Sequence, residues 1–240
     1  MPSRQASLDP YLPQIGCGLV LLALMSLCLL PFVLVDGMSY ALRKLHLPPQ
    51  VATLTIVGIF VGSLVNLPLY RVNREVAQAE PMGWIRTRMG WVPMQRSRTQ
   101  TIVALNVGGC IIPAALAIYL ASIILSETPQ AKLALILAVL ANVAACHWLA
   151  RPIPGLGIAL PAFVPVMLAV GSSWLLLAGS QYQDVRAPVA FIAGVSGPLI
   201  GADLLNLRHF EQLSAGLISI GGAGTFDGIV VCSLLSAFLV

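Results

Sequence analysis

Asp203 and Asp227 have the most chemistry to offer in this sequence. Each stands in a stretch of apolar and small residues, Gly197-Pro198-Leu199-Ile200-Gly201-Ala202-Asp203-Leu204-Leu205 and Gly221-Gly222-Ala223-Gly224-Thr225-Phe226-Asp227-Gly228. An ionised carboxylate at the centre of a membrane helix costs about 2.5–3.5 kcal/mol on the insertion scale, so such a residue marks a functional site by default. Two close carboxylates do not both ionise cheaply. They share a proton, hold a cation, or activate a water. The glycines before each aspartate leave room for another backbone to approach. Plainer roles exist for both. Asp203 can reach from a helix end towards Arg208, and Asp227 can sit in the first turn of a helix capped by Thr225, where backbone N–H groups favour a carboxylate.

The elements that carry the aspartates decide whether they meet. A straight helix from Leu213 would put Asp227 about 20 Å along its axis, far from Asp203. The glycines of Ser219-Ile220-Gly221-Gly222-Ala223-Gly224 predict a different path, with residues 217–224 unwound or re-entrant and regular helix starting only at Thr225. Irregular backbone inside a membrane is tolerated where protein buries it or water reaches it. On that path the aspartates converge, and Gly201, Gly222, Gly224 and Thr225 lie around them as substrate- or ion-binding positions. Asn66, five residues before Arg71, and Asn106, six after Gln100, fall in the same third of the membrane as Asp203. Singly, each asparagine reads as an interhelical hydrogen bond worth about 0.6 kcal/mol. Jointly with Asp203 they outline a polar pocket.

The chain has 240 residues, 58% hydrophobic and 9% charged, with mean hydropathy +0.90. That excludes an ordinary soluble domain, in which about a quarter of residues are charged. Uncharged runs at about 15–35, 51–70, 101–125, 133–150, 155–178, 187–202 and 212–226, the last continuing through Asp227 to Val240, are seven candidate spans. The first is too long for a signal-peptide core and stays as a helix. The expected fold is an all-α polytopic membrane protein of about seven transmembrane helices, with at least one broken or re-entrant segment, residues 1–240 forming a single integral membrane domain. Pro31 and Asp36-Gly37 are expected to break the first run, leaving Met38 to Leu47 as a short interfacial helix. Pro161 and Pro165 are expected to bend the fifth.

Residues 71–100 hold Arg71, Arg74, Arg86, Arg88, Arg96 and Arg98 against Glu75 and Glu80, with Trp84 and Trp91 interleaved. This is read as a basic cytoplasmic loop that contacts anionic lipid headgroups, not nucleic acid. With Arg4, Arg151 and Arg208 the loop brings nine basic residues to one side, against Arg43, Lys44, Lys132 and Arg186 on the other. By the positive-inside rule the N-terminus is expected in the cytoplasm and the C-terminus outside.

The five cysteines all fall in apolar runs and read as small core hydrophobes. Cys146 and His147 point about 100° apart on a helix, and His46 and His209 fall on opposite sides, so no metal site is expected. Gly155-Leu156-Gly157 lacks the third glycine of a dinucleotide fingerprint, and no phosphate-binding loop appears, so no cofactor is expected either.

Leu199-Ile200-Gly201-Ala202-Asp203-Leu204-Leu205 followed by Ser219-Ile220-Gly221-Gly222-Ala223-Gly224-Thr225-Phe226-Asp227-Gly228-Ile229 resembles the signature of domain-of-unknown-function family 1614, a group of prokaryotic multi-pass membrane proteins. Asn106-Val107-Gly108-Gly109 with Pro113, and Pro154-Gly155-Leu156-Gly157-Ile158 with Pro161, extend the similarity. The resemblance implies a fold family and a membrane location and supplies no activity. A looser resemblance is to intramembrane aspartyl proteases, in which one of two catalytic aspartates sits in a Gly-x-Gly-Asp motif. Gly201-Ala202-Asp203 lacks the second glycine, and Phe226-Asp227 comes after it rather than before. The leading expectation is a functional intramembrane aspartate pair, Asp203 and Asp227, with hydrolysis of a membrane peptide as one use. The alternatives are cation- or proton-coupled transport and a non-catalytic membrane scaffold.

Overall fold

A computed structural model describes residues 12–73, 84–87, 90–93, 100–153, 157–161, 163–207, 217–222 and 227–240. Among the described residues there are seven α-helices: α1 (Leu12–Lys44), α2 (Pro49–Gly62), α3 (Ile112–Ile124), α4 (Pro129–Leu149), α5 (Phe163–Leu176), α6 (Gln183–Ser196) and α7 (Gly228–Leu239). Among the described residues, four helical stretches, 19–44, 107–124, 129–149 and 180–206, are long and apolar enough to cross a bilayer. The protein is a helical membrane protein.

The remaining helices, α2, α5 and α7, have 14, 14 and 12 residues. At 1.5 Å per residue they are only about 18–21 Å long, short of the roughly 30 Å hydrocarbon core. Each stops or starts next to a strand. α2 runs into β1 (Asn66–Asn73), α5 follows a hairpin of β5 (Arg151–Ile153) and β6 (Gly157–Ala159), and α7 follows β7 (Leu217–Ile220). Strand and turn therefore replace helix at one end of the bundle. β4 (Gln100–Asn106) is the centre of a three-stranded sheet, antiparallel to β1 with Asn66 opposite Asn106, and parallel to β7. A second hairpin, β2 (Trp84–Thr87) with β3 (Gly90–Pro93), lies within the basic 71–100 segment; Arg74, Arg88, Arg96 and Arg98 are outside the described residues.

The opposite end is tied by side chains. Lys44 Nζ donates to Phe238 O at 2.8 Å and Tyr40 packs edge-on against Phe238, so α1 and α7 end together. His46 lies 3.5 Å from Asp184 at the start of α6. Gln130 at the start of α4 donates to Leu176 O at the end of α5 and accepts from Tyr182 Oη at 2.6 Å. Successive helices thus alternate in direction, as a seven-span chain requires.

Two expectations need correction. α1 is one helix from Leu12 through Pro31 to Lys44, with no separate interfacial helix at 38–47. A proline in a long apolar helix removes one N–H, and the surrounding turns hold the helix together where no water competes for the freed carbonyl. The second, third and fifth apolar runs are part strand, with β-branched or aromatic residues such as Tyr70, Ile102, Val103 and Ile158 at their sheet-side ends.

α6 is the core helix, buried continuously from Arg186 to Ser196. Its small residues admit neighbours closely. A Cβ on Gly194 would lie 2.9 Å from Cys232 O and Ser233 Cα of α7, and one on Gly197 would lie 2.9 Å from Cys146 Sγ of α4. Such small-residue contacts replace the hydrophobic effect as the source of helix association in lipid. Cys110, Cys146 and Cys232 are buried in this packing, while Cys28 is exposed on α1.

Candidate functional site

Three spans leave α-helical geometry at the sheet end. Before α3 the chain makes a π-helical turn, Val107–Ile111, and after α6 a longer one, Gly197–Asp203, followed by a 3-10 turn, Leu204–Asn206. Pro113 and Pro198 explain the widening. Proline cannot donate to the carbonyl four residues earlier and its ring clashes with that carbonyl, and a wider turn relieves both. The third break precedes α7. Leu217–Ile220 is strand, Gly221 turns with φ 68°, and helix resumes at Gly228. The expected unwinding is present over the described residues 217–222. The helix starts three residues later than Thr225.

Asp227 is the N-cap of α7, with φ −62° and ψ 150°, and its Oδ2 accepts from the Ile229 N–H at 3.1 Å. A carboxylate there satisfies an orphan N–H and meets the positive end of the helix dipole. Asp203 ends the π-helical segment and is half-buried. α7 packs against both π-helical segments, the one that holds Cys110 before α3 and the one that ends at Asp203. The fold thus brings the end of the α6 segment, the start of the α3 segment and the start of α7 to one place.

Gly201 does what its size permits: an added Cβ would stand 2.9 Å from Cys146 Cβ and 3.1 Å from the His147 backbone nitrogen. The π-helical segment therefore rests on the α4 backbone. Gly222 closes the turn after β7, donating its N–H to Ser219 O at 3.2 Å. Gly224, Thr225 and Arg208 are outside the described residues.

The asparagines form a hydrogen-bonded network at the start of the π-helical turn before α3. Asn106, fully buried, donates from Nδ2 to Ser63 O at 2.7 Å and to Asn66 Oδ1 at 3.2 Å, and its Oδ1 accepts from the Gly109 N–H at 2.7 Å. Asn66 Oδ1 also accepts from Ser219 Oγ at 2.5 Å. Asn66, Asn106 and Ser219 thus join all three strands of the sheet and cap the π-helical turn, which places both helix starts.

Sequence reasoning missed two further polar residues inside the bundle. Asn142, fully buried in α4, donates to Pro165 O at 2.8 Å and accepts from Cys146 Sγ at 3.3 Å. Asn206 donates to Gly201 O and Ala202 O, both at 3.0 Å. The signal for Asn142 was available, since it is a lone amide in the 133–150 apolar run.

Residues 60–239 match the family model described as "Protein of unknown function (DUF1614)". The chain belongs to that family. The match spans the DUF1614 protein from the end of α2 to the end of α7 and includes the sheet, both π-helical segments and both aspartates. No curated protein and no solved structure matches the chain. Among the described residues, no group of three His, Cys, Asp or Glu side chains is placed to hold a metal ion.

Proposed function

We propose that this protein carries protons, or a small cation in exchange for them, across the membrane, and that Asp203 and Asp227 are the pair that binds and releases them. The observation that carries the reading is that α7, capped by Asp227, packs against the π-helical segment that ends at Asp203, where helical spans break. Like charges in a low-dielectric site favour one shared proton or one bound cation over two ionised groups. Helix breaks supply carbonyls and helix ends that exchange an ion for its water, the construction used by transporters with discontinuous helices. Asp227 at a helix N-cap is held as an acceptor, whereas Asp203 at a helix end is free of that role, so the two carboxylates are unequal partners for a proton.

In this reading the basic 71–100 segment faces the cytoplasm and rests on anionic headgroups, with the N-terminus inside and the C-terminus outside. The test is proton flux in proteoliposomes loaded with a pH-sensitive dye, with and without a sodium or potassium gradient. Flux in the wild-type protein that is lost in Asp203→Asn and in Asp227→Asn, with insertion intact, supports it. Unaltered flux in both variants overturns it. Cleavage of a membrane peptide that both variants abolish, without flux, replaces it with the hydrolytic reading. Neither activity, with unchanged assembly of the variants, leaves a scaffold.

A further inference from the structure

The carbonyls next to Asp203 are held by one side chain. Asn206, 5% exposed, donates from Nδ2 to Gly201 O and Ala202 O, and the same nitrogen lies 3.3 Å from His147 Nδ1. An amide nitrogen has two hydrogens, and here it faces three acceptors. His147 Nδ1 accepts only when the ring proton is on Nε2. A proton added to Nδ1 sets N–H against N–H. Either the ring withdraws and Asn206 gives both hydrogens to the π-helical carbonyls, or the amide turns over, its oxygen accepts from His147, and Gly201 O and Ala202 O lose their donor. Both outcomes change the hydrogen bonding of the two residues that precede Asp203.

Packing passes the change on. Gly201 meets the α4 backbone at Cys146 and His147 with no side chain between them, so the π-helical segment has no soft layer to absorb a shift. His147 itself is exposed in the last turn of α4, at the sheet end. Among the described residues, the charged or titratable groups at this end are Asp203 of the π-helical segment packed on α4, Cys146 of α4 itself and Arg151, which follows α4 in the chain. α5 contributes none, and Asp184 and Arg186 of α6 stand at the other end.

We propose that His147 is the proton-sensing residue of the Asp203 site, a positioning residue that acts through Asn206 on the π-helical segment. The proposal rests on the reading of Asp203 as a proton-exchanging group, and it is tested without relying on flux. Amide hydrogen exchange of the protein in nanodiscs is followed by mass spectrometry across pH 5 to 8, the interval in which an ordinary histidine changes charge, after correction for intrinsic rates. Peptides covering 197–207 should change protection by about threefold or more across that interval. His147→Asn, which keeps an acceptor but does not titrate, should hold the alkaline level throughout; His147→Lys, charged throughout, should hold the acid level. A flat wild-type profile, or a wild-type step retained in His147→Asn, overturns the proposal. A step that follows His147 supports it even if vesicles show no flux, in which case the transport reading alone fails. Flux without any step removes His147 and leaves the aspartate pair.

Discussion

Gly109 and Gly221 meet backbone to backbone: a Cβ on Gly109 would run into the Gly221 carbonyl oxygen, and one on Gly221 would lie 2.7 Å from Cys110 Cβ. The contact fixes the turn after β7 against the π-helical turn before α3, the two breaks that set the starts of α7 and α3. Gly109→Ala should therefore overpack the junction and cost about 1–3 kcal/mol. Gly221→Ala adds the strain of a left-handed φ of 68°, about 1 kcal/mol more. Thermal melting in detergent should show both variants below wild type, with Gly221→Ala the lower. Gly37→Ala, at a position where an added Cβ meets nothing within 4 Å, should melt like wild type.

Asn106 is expected to behave as a structural residue whose loss disturbs the site through the fold. Asn106→Ala strips the donor from Ser63 O and the acceptor from the Gly109 N–H. Orphaned buried groups cost about 1–3 kcal/mol each, so the two together should cost about 2–6 kcal/mol. Ser219→Ala removes only one hydroxyl donor to Asn66 and should cost about 1 kcal/mol. Melting curves of the two variants, compared at equal protein-to-detergent ratio, check the order.

Asp227 combines a cap with a charge, and substitutions separate the two. Asp227→Asn keeps an oxygen for the Ile229 N–H and should melt close to wild type, whereas Asp227→Ala loses the cap and about 0.5–2 kcal/mol. Both remove the carboxyl, so both should abolish proton flux. Flux that survives in Asp227→Asn but falls in Asp227→Ala would assign Asp227 to the cap alone.

The spans and the break before α7 were legible in the sequence because hydropathy and clustered glycine are local signals. Residues 219–222 could be read as unwound from Gly221 and Gly222, yet nothing local shows that 217–220 pairs with 102–105 as a parallel strand. That pairing is a long-range choice. The continuity of α1 through Pro31 was illegible for a related reason: proline removes one hydrogen bond anywhere, but in lipid the alternative to helix is worse than in water. The partners of the asparagines were hidden as well. Asn66 and Asn106 were legible as polar residues in apolar runs, and only the β1–β4 register placed them opposite each other. Asn206 went unnoticed because its role depends on carbonyls freed by a π-helical segment, which no sequence period announces.

Arg186 gives the last test, because its role lies far from the aspartates. It is 7% exposed at the start of α6, donates from Nε to Leu177 O at 2.7 Å and from Nη2 to Gly179 O at 2.6 Å, and stacks its guanidinium 4.5 Å from the centre of the Trp174 ring. The planar fork reaches two carbonyls while its face lies on indole, which a lysine ammonium cannot reproduce. Arg186→Lys keeps the positive charge but loses one carbonyl bond and most of the stacking. Charge-assisted hydrogen bonds are worth about 1.5–3 kcal/mol and a cation–π contact about 0.5–2 kcal/mol, so the variant should lose about 2–4 kcal/mol in melting. Trp174→Leu should lose less, because both carbonyl bonds remain. If charge alone mattered, Arg186→Lys would melt like wild type, and α5 and α6 would be joined by electrostatics rather than by the guanidinium geometry. In neither variant is the pH dependence of exchange at 197–207 expected to change, because Arg186 and His147 stand at opposite ends of the bundle.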